Sequence, residues 1–213
     1  QISERAQTEY LPDLIAGKKS MCFGLTEPDA GSDASRLQTK AVADGQGWRI
    51  SGRKIWTTNA PIADYCVVFA KMDEGISAFM IPTDSEGFLI QRIIKLFGHI
   101  GGGEAEIALS DVYVEPWQVV GEIGKGFNAA LYGVSLGRIY NSARSVGYGR
   151  WALEAAVEFS KIRTAFGQPI SEYQGVTFPL ADSAMDLHAA HLMGINAAML
   201  LDAGEPAVKE LSM

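Results

Sequence analysis

The amino-acid sequence predicts an α+β chain, an antiparallel β-barrel or sandwich followed by an up-down helical bundle. Three observations carry that expectation. From Met21 to about Glu122 apolar residues recur at the two-residue period of a pleated strand. Turn-forming clusters interrupt that pattern at short intervals, at Asp44-Gly45-Gln46-Gly47, Asp73-Glu74-Gly75 and Ser85-Glu86-Gly87. Past Gly126 the spacing changes to three and four residues, broken by a loop over 164–172.

In chain order, residues 5–17 form a helix that stops at Gly17, with lysines just after. Strands are expected over 21–26, 36–43, 48–58, 65–71, 76–82, 88–95, 104–109 and 112–115. Short strands at this spacing point to a barrel or sandwich and away from a nucleotide-binding βαβ unit. A long helix follows over 127–161, with Leu131, Val134, Val146, Leu153, Val157 and Phe159 at helical spacing. Its small residues Gly137, Ala143, Gly147 and Gly149 suit close packing against a second helix, expected from about Tyr173 to Asp202. Pro179 either kinks that helix or delays its start. Residues 205–213 open a further helical segment.

Composition narrows the function. The 213 residues are 47% hydrophobic and 20% charged, as in an ordinary soluble globular protein. A net charge of −7 with no basic stripe argues against nucleic-acid binding. No uninterrupted apolar run is long enough to span a bilayer, and Gln1–Arg5 does not resemble a signal peptide. Cys22 and Cys66 lie in strand-like runs and fit buried free thiols, which implies a reducing intracellular compartment.

The stretch from Cys22 to Asp33 stands out. A strand with Met21, Phe23 and Leu25 on one face is ended by Pro28, and Asp29-Ala30-Gly31-Ser32 is expected to turn tightly, with Gly31 free to take positive φ. Such a turn either connects strands or aims backbone N–H groups and the Ser32 hydroxyl at an anion. This stretch resembles the signature of the acyl-CoA dehydrogenase family. Lys54-Ile55-Trp56-Thr57-Thr58-Asn59 is similar to the family's second flavin segment. Arg163-Thr164-Ala165-Phe166-Gly167-Gln168-Pro169-Ile170, with Tyr173-Gln174-Gly175, is similar to the segment that reaches a neighbouring subunit's flavin. The resemblance runs from about Gln7 to the last residue.

That resemblance implies a fold, a cofactor and a reaction. Residues 1–20 would be the tail of an N-terminal helical domain, 21–122 the middle β-domain, and 123–213 the first, partial portion of a C-terminal helical bundle. The chain would then be a piece of a longer protein or a truncated relative. The implied cofactor is FAD, with Phe23, Leu25 and Thr26 at the flavin edge and Gly31 and Ser32 over the pyrophosphate and thioester. Trp56 and Thr57 would flank the ring, and Thr58 would donate toward flavin N5. Arg163, Phe166 and Gln174 would serve the flavin of a partner copy, implying a homo-oligomer, a dimer or tetramer. Ser32, Ser135 and Arg138 would meet the acyl-CoA substrate.

The implied reaction is α,β-dehydrogenation of an acyl-CoA thioester, with electrons passed to an electron-transfer flavoprotein in the cytoplasm, or in the mitochondrial matrix of a eukaryote. Same-fold alternatives are a flavin oxidase, acyl-CoA oxidase-like or nitroalkane oxidase-like, and a non-catalytic flavin-binding paralogue. Three positions depart from the family pattern. Ser135 replaces an aspartate common there, Gly137 replaces one branch's catalytic glutamate, and His99-Ile100-Gly101-Gly102-Gly103 replaces a segment that usually carries an arginine and a serine. No catalytic base is therefore expected within the chain. His99 suits a solvated glycine-rich turn, and His188 and His191, three apart on one helix, suit a solvated face better than a metal site.

Overall fold

The structure, a computed structural model, describes residues 2–98 and 103–213. Helix α1 (Glu4–Ile15) is followed by strands β1 (Met21–Gly24), β2 (Lys40–Asp44), β3 (Gly47–Thr58), β4 (Tyr65–Met72), β5 (Gly75–Pro82), β6 (Phe88–Ile94), β7 (Glu104–Val114) and β8 (Val119–Val120). Then come α2 (Gly126–Ile162), β9 (Thr164–Ala165), β10 (Gln168–Pro169), α3 (Gln174–Asp202) and α4 (Val208–Ser212). The chain divides into two compact units, one ending at Leu131 and one running from Tyr132 to Met213. The motif at His99–Gly102 lies outside the described residues.

The first unit is an open sandwich. Its strands run in the order β6-β7-β3-β2-β4-β5-β8, with β1 branching onto β4, so the two ends of the order do not close on each other. Two pairings depart from the antiparallel expectation, and in one of them β2 meets β4 in parallel through Lys40 and Lys71. In the other, β1 lies parallel to β4, pairing Met21 with Tyr65 and Cys22 with Cys66. Both cysteines are free and buried.

β4 is covered on both faces, which is why Tyr65–Ala70 reads as a continuous apolar run. Cys66, Val68 and Ala70 join Ile50, Phe79, Ile107 and Val112 between the layers. Tyr65, Val67 and Phe69 point the other way, against Ala6 and Tyr10 of α1 and Ala130 at the start of α2. Ser3 caps α1 by accepting from the Ala6 N–H at 3.1 Å.

The remaining boundaries differ for identifiable reasons. The segment expected as a strand from 36 forms a short 3-10 turn over Ala34–Arg36, and pairing begins only at Lys40. Gln38 and Thr39 give their backbone N–H groups to the Glu27 carboxylate at 2.5 and 2.9 Å. The two strands expected over 104–115 are one, β7, carried through a bulge by Asp111 at φ 52°. The Ser51 hydroxyl holds that bulge, accepting from the Asp111 N–H at 3.0 Å.

In the second unit α2 and α3 run antiparallel. The groove between them brings Gly149, Ala152 and Ala156 to Leu180, Ser183 and Leu187, and further along Ile139, Ala143 and Val146 to Ala190, Gly194 and Ile195. A Cβ at Gly149 would collide with Leu187, so the expected close helix packing is present at that glycine. Pro179 lies inside α3, whose first residue is Gln174, so it does not delay the start. The apolar surface of α2 is not confined to one stripe. Tyr132, Leu136, Tyr140, Tyr148, Trp151 and Phe159 are all exposed, as in a helix built to be covered on several sides.

Candidate active site

The site grows from the end of β1. Beyond Gly24 the chain continues along β3, with the Ile55 N–H donating to the Thr26 carbonyl at 2.9 Å. Alternation along β3 turns Ile50 and Lys54 into the interior, so a charged side chain sits on a core face. Lys54 Nζ, wholly buried, donates to Glu27 at 2.8 Å and to the Leu25 carbonyl at 3.2 Å. Glu27 accepts from Lys54, from the Gln38 and Thr39 N–H groups and from the Thr39 hydroxyl. One carboxylate thus fastens the motif turn, β3 and the approach to β2 together.

Burial alone would raise the Glu27 carboxyl, but its donors, Lys54 first, hold it below the usual carboxylate range. Burial pushes the Lys54 ammonium down, and its pairing with Glu27 only partly offsets that. Four donors outweigh burial at Glu27, whereas at Lys54 burial outweighs the pairing with Glu27.

The turn differs from its sequence expectation. It closes two residues earlier, by paired backbone bonds between Glu27 and Ala30 at 3.0 and 3.2 Å. Gly31 is not among the glycines at positive φ. A Cβ added there would meet nothing within 4 Å, so Gly31 and exposed Ser32 face open space in this unit.

On β3 the register with β7 slips by one residue between Lys54 and Thr57. Trp56 sits in that bulge at φ 60°, a conformation unusual for a bulky side chain, and is 52% exposed. Thr57 turns inward and is 1% exposed; among the described residues its hydroxyl is the buried side-chain polar atom without a hydrogen-bond partner. Its side chain therefore does not share the exposed surface of Trp56 and Thr58. Thr58 points outward, and its hydroxyl lies 2.8 and 3.0 Å from the two Glu104 oxygens. Phe23 is partly exposed against Phe69, with ring centroids 4.8 Å apart, while Leu25 is buried. Phe23, Thr26, Trp56 and Thr58 are thus gathered at the ends of two adjacent segments.

The other expected residues belong to the second unit. Arg138, on α2, reaches Ser212 at 3.3 Å and lines a largely apolar groove of about 500 Å³ with Asn141, Met193, Ala197 and Glu210. Ser135 is half-buried one turn earlier. Gly137 has no neighbour within 4 Å of where a side chain would begin. Phe166 and Gly167 form the tip of the β9–β10 hairpin at φ 52° and 85°, which leaves Phe166 97% exposed. The Tyr173 hydroxyl braces the hairpin by donating to the Ala165 carbonyl at 2.9 Å, and Arg163 and Gln174 flank it, exposed. His188 is exposed and His191 half-buried, and no group of three potential metal ligands occurs among the described residues. No helix among them is long and apolar enough to cross a membrane.

Sequence reasoning did not single out Lys54–Glu27 as a pair, nor Glu104. The signal for the first was available, since an inward-facing lysine in an alternating strand requires an anionic partner.

Two family models match, "Acyl-CoA dehydrogenase, middle domain" over residues 22–112 and "Acyl-CoA dehydrogenase, C-terminal domain" over residues 124–213. The chain is 39% identical to the caffeyl-CoA reductase-Etf complex subunit CarC of Acetobacterium woodii, covering 99% of this chain and 57% of that one. The butyryl-CoA dehydrogenase structure from Megasphaera elsdenii superposes with a TM-score of 0.94 at 35% identity, over 98% of this chain and 56% of that one. A glutaryl-CoA dehydrogenase from Mycobacterium smegmatis, solved in complex with FADH2, gives 0.90 at 31% identity, over 99% and 54%. The chain spans a little over half the length of these proteins.

Proposed function

The chain belongs to the acyl-CoA dehydrogenase family, and on that premise we propose that the whole protein binds FAD and oxidises an acyl-CoA thioester at its α,β bond, delivering the electrons to an electron-transfer flavoprotein. The observation that carries this reading is Trp56, a large aromatic held half-exposed at φ 60° beside an outward hydroxyl. A left-handed bulky residue costs roughly 1–3 kcal/mol, a cost that recurs where a side chain must be aimed at a ligand.

The residues present fit a flavin. Trp56 and Phe23 offer exposed aromatic surface, Thr26 and Thr58 offer hydroxyls, and the space before Gly31 is open. When bound, the flavin supplies the acceptor for the β-hydride. Phe23, Leu25 and Thr26 would line its edge, Gly31 and Ser32 its pyrophosphate and the nearby thioester, and Trp56 and Thr58 the reacting ring. The buried Lys54–Glu27 pair keeps these two segments in register without touching the ligand. Arg138 and Ser135 would orient the substrate. The residue that removes the α-proton would be a glutamate outside residues 1–213, since Gly137 stands where one branch of the family carries that glutamate.

Phe166, almost fully exposed at a strained hairpin tip, with Arg163 and Gln174 beside it, would complete the flavin site of a second copy. The guanidinium suits the pyrophosphate. The homo-oligomer is then required for cofactor binding. The likeness to CarC favours a second reading, in which the same site runs in the reducing direction on an α,β-unsaturated thioester.

The test is anaerobic titration of the full-length yellow protein with saturated acyl-CoAs and, after chemical reduction, with their unsaturated counterparts. Bleaching by the first set supports dehydrogenation, and recolouring by the second supports reduction. A protein that takes up no FAD, or whose flavin responds to neither set, refutes the proposal.

A further inference from the structure

The Thr58 hydroxyl lies within hydrogen-bond distance of both Glu104 oxygens, at 2.8 and 3.0 Å. An ionised carboxylate only accepts, so the single hydroxyl proton must point at Glu104. What Thr58 then presents on its outward side is lone pairs. The contact is fixed by the fold. Thr58 and Glu104 are direct cross-strand partners at the end of the β3–β7 ladder, and the Asn59 N–H donates to the Gly103 carbonyl at 2.7 Å just beyond them.

We propose that Glu104 is a positioning residue that makes Thr58 a hydrogen-bond acceptor toward the flavin. The inference rests on the reading above, in which Thr58 faces the reacting ring, and it reverses the donation toward flavin N5 that the family resemblance implies. N5 is an acceptor in the oxidised cofactor and carries a hydrogen in the reduced one. A hydroxyl held by Glu104 has nothing to donate to the oxidised form and is ready to accept from the reduced form. Thr58 therefore favours the cofactor after hydride transfer, and Glu104 selects this polarity without touching the cofactor itself. A threonine without such a carboxylate could serve both forms by rotating.

The test uses full-length protein reconstituted with FAD labelled at N5 with nitrogen-15. In the wild type the oxidised N5 resonance should lie where a nitrogen without a donor lies. Glu104→Ala frees the hydroxyl and should move the resonance upfield to the hydrogen-bonded range. Thr58→Val combined with Glu104→Ala should abolish the shift. Unchanged N5 resonance in Glu104→Ala, with flavin bound stoichiometrically, overturns the role of Glu104 and leaves the flavin reading intact. A shift in Glu104→Ala that persists in the double variant also overturns it. Failure of the wild type to bind FAD overturns both.

Discussion

Replacing either partner of the Glu27–Lys54 pair should destabilise the first unit, and by unequal amounts. Lys54→Met keeps the volume and removes one of four donors to Glu27, which retains the Gln38 and Thr39 N–H groups and the Thr39 hydroxyl. A hydrogen bond to a charged group is worth about 1.5–3 kcal/mol, so the loss should fall near 2–3. Glu27→Leu instead leaves Lys54 Nζ buried with only the Leu25 carbonyl at 3.2 Å, and it orphans three donors around residues 38 and 39. That matches the cost of breaking a buried ion pair, about 3–5 kcal/mol.

The double variant should lose less than the sum of the two, because each single change strands the other's charge. Urea unfolding of the full-length protein, followed by tryptophan fluorescence, measures all three. The pair's contribution also depends on pH. Glu27 is depressed in the folded state, so its stabilisation is complete above the unfolded carboxyl value of about 4.3 and disappears as pH falls through the folded one. Wild type and Glu27→Gln should therefore converge in stability as pH falls below the unfolded carboxyl value and through the depressed folded one. A Lys54→Met loss equal to or larger than that of Glu27→Leu would refute the donor-count argument.

Three other substitutions test single features. Trp56→Gly removes a strained φ of 60° and should raise apoprotein stability by about 1 kcal/mol, while flavin affinity falls; calorimetry and FAD titration separate the two. Thr57→Val replaces a buried hydroxyl without a partner by an isosteric methyl and should stabilise by about 1 kcal/mol in urea unfolding. Phe166→Ser at the exposed hairpin tip should leave unfolding of the second unit unchanged and weaken self-association, seen as a smaller particle in dilute sedimentation.

Most of this architecture was legible because its signals are local. The apolar run of β4, the Gly45 turn between β2 and β3, and Gly17 after α1 each announce themselves within a few residues. The errors fall where a distant group intervenes. Residues 36–39 carry a strand-like pattern, yet Glu27, eleven or twelve positions away, captures the N–H groups of Gln38 and Thr39. Nothing in Trp56 itself signals a left-handed conformation, which local rules reserve for glycine or asparagine; the bulge comes from the pairing with β7. The exposed surface of α2 was hidden for another reason. A helix with apolar residues on every side still satisfies a one-sided template wherever the template is laid.

The pairing of β3 with β7 also bears on how the protein is made. Thr58 and Glu104 are 46 residues apart, and the hairpin of β4 and β5 and strand β6 emerge from the ribosome between them. At synthesis rates of about 5–20 residues per second, Trp56 and its neighbours wait roughly 2–9 s for the strand that sets their bulge. During that interval β3 has β2 on one edge and an open ladder on the other, a state that invites pairing with another nascent chain. The strand bearing Trp56 and Thr58 is thus the one a chaperone would find uncovered longest, and slowing translation between residues 58 and 104 should lower the soluble yield.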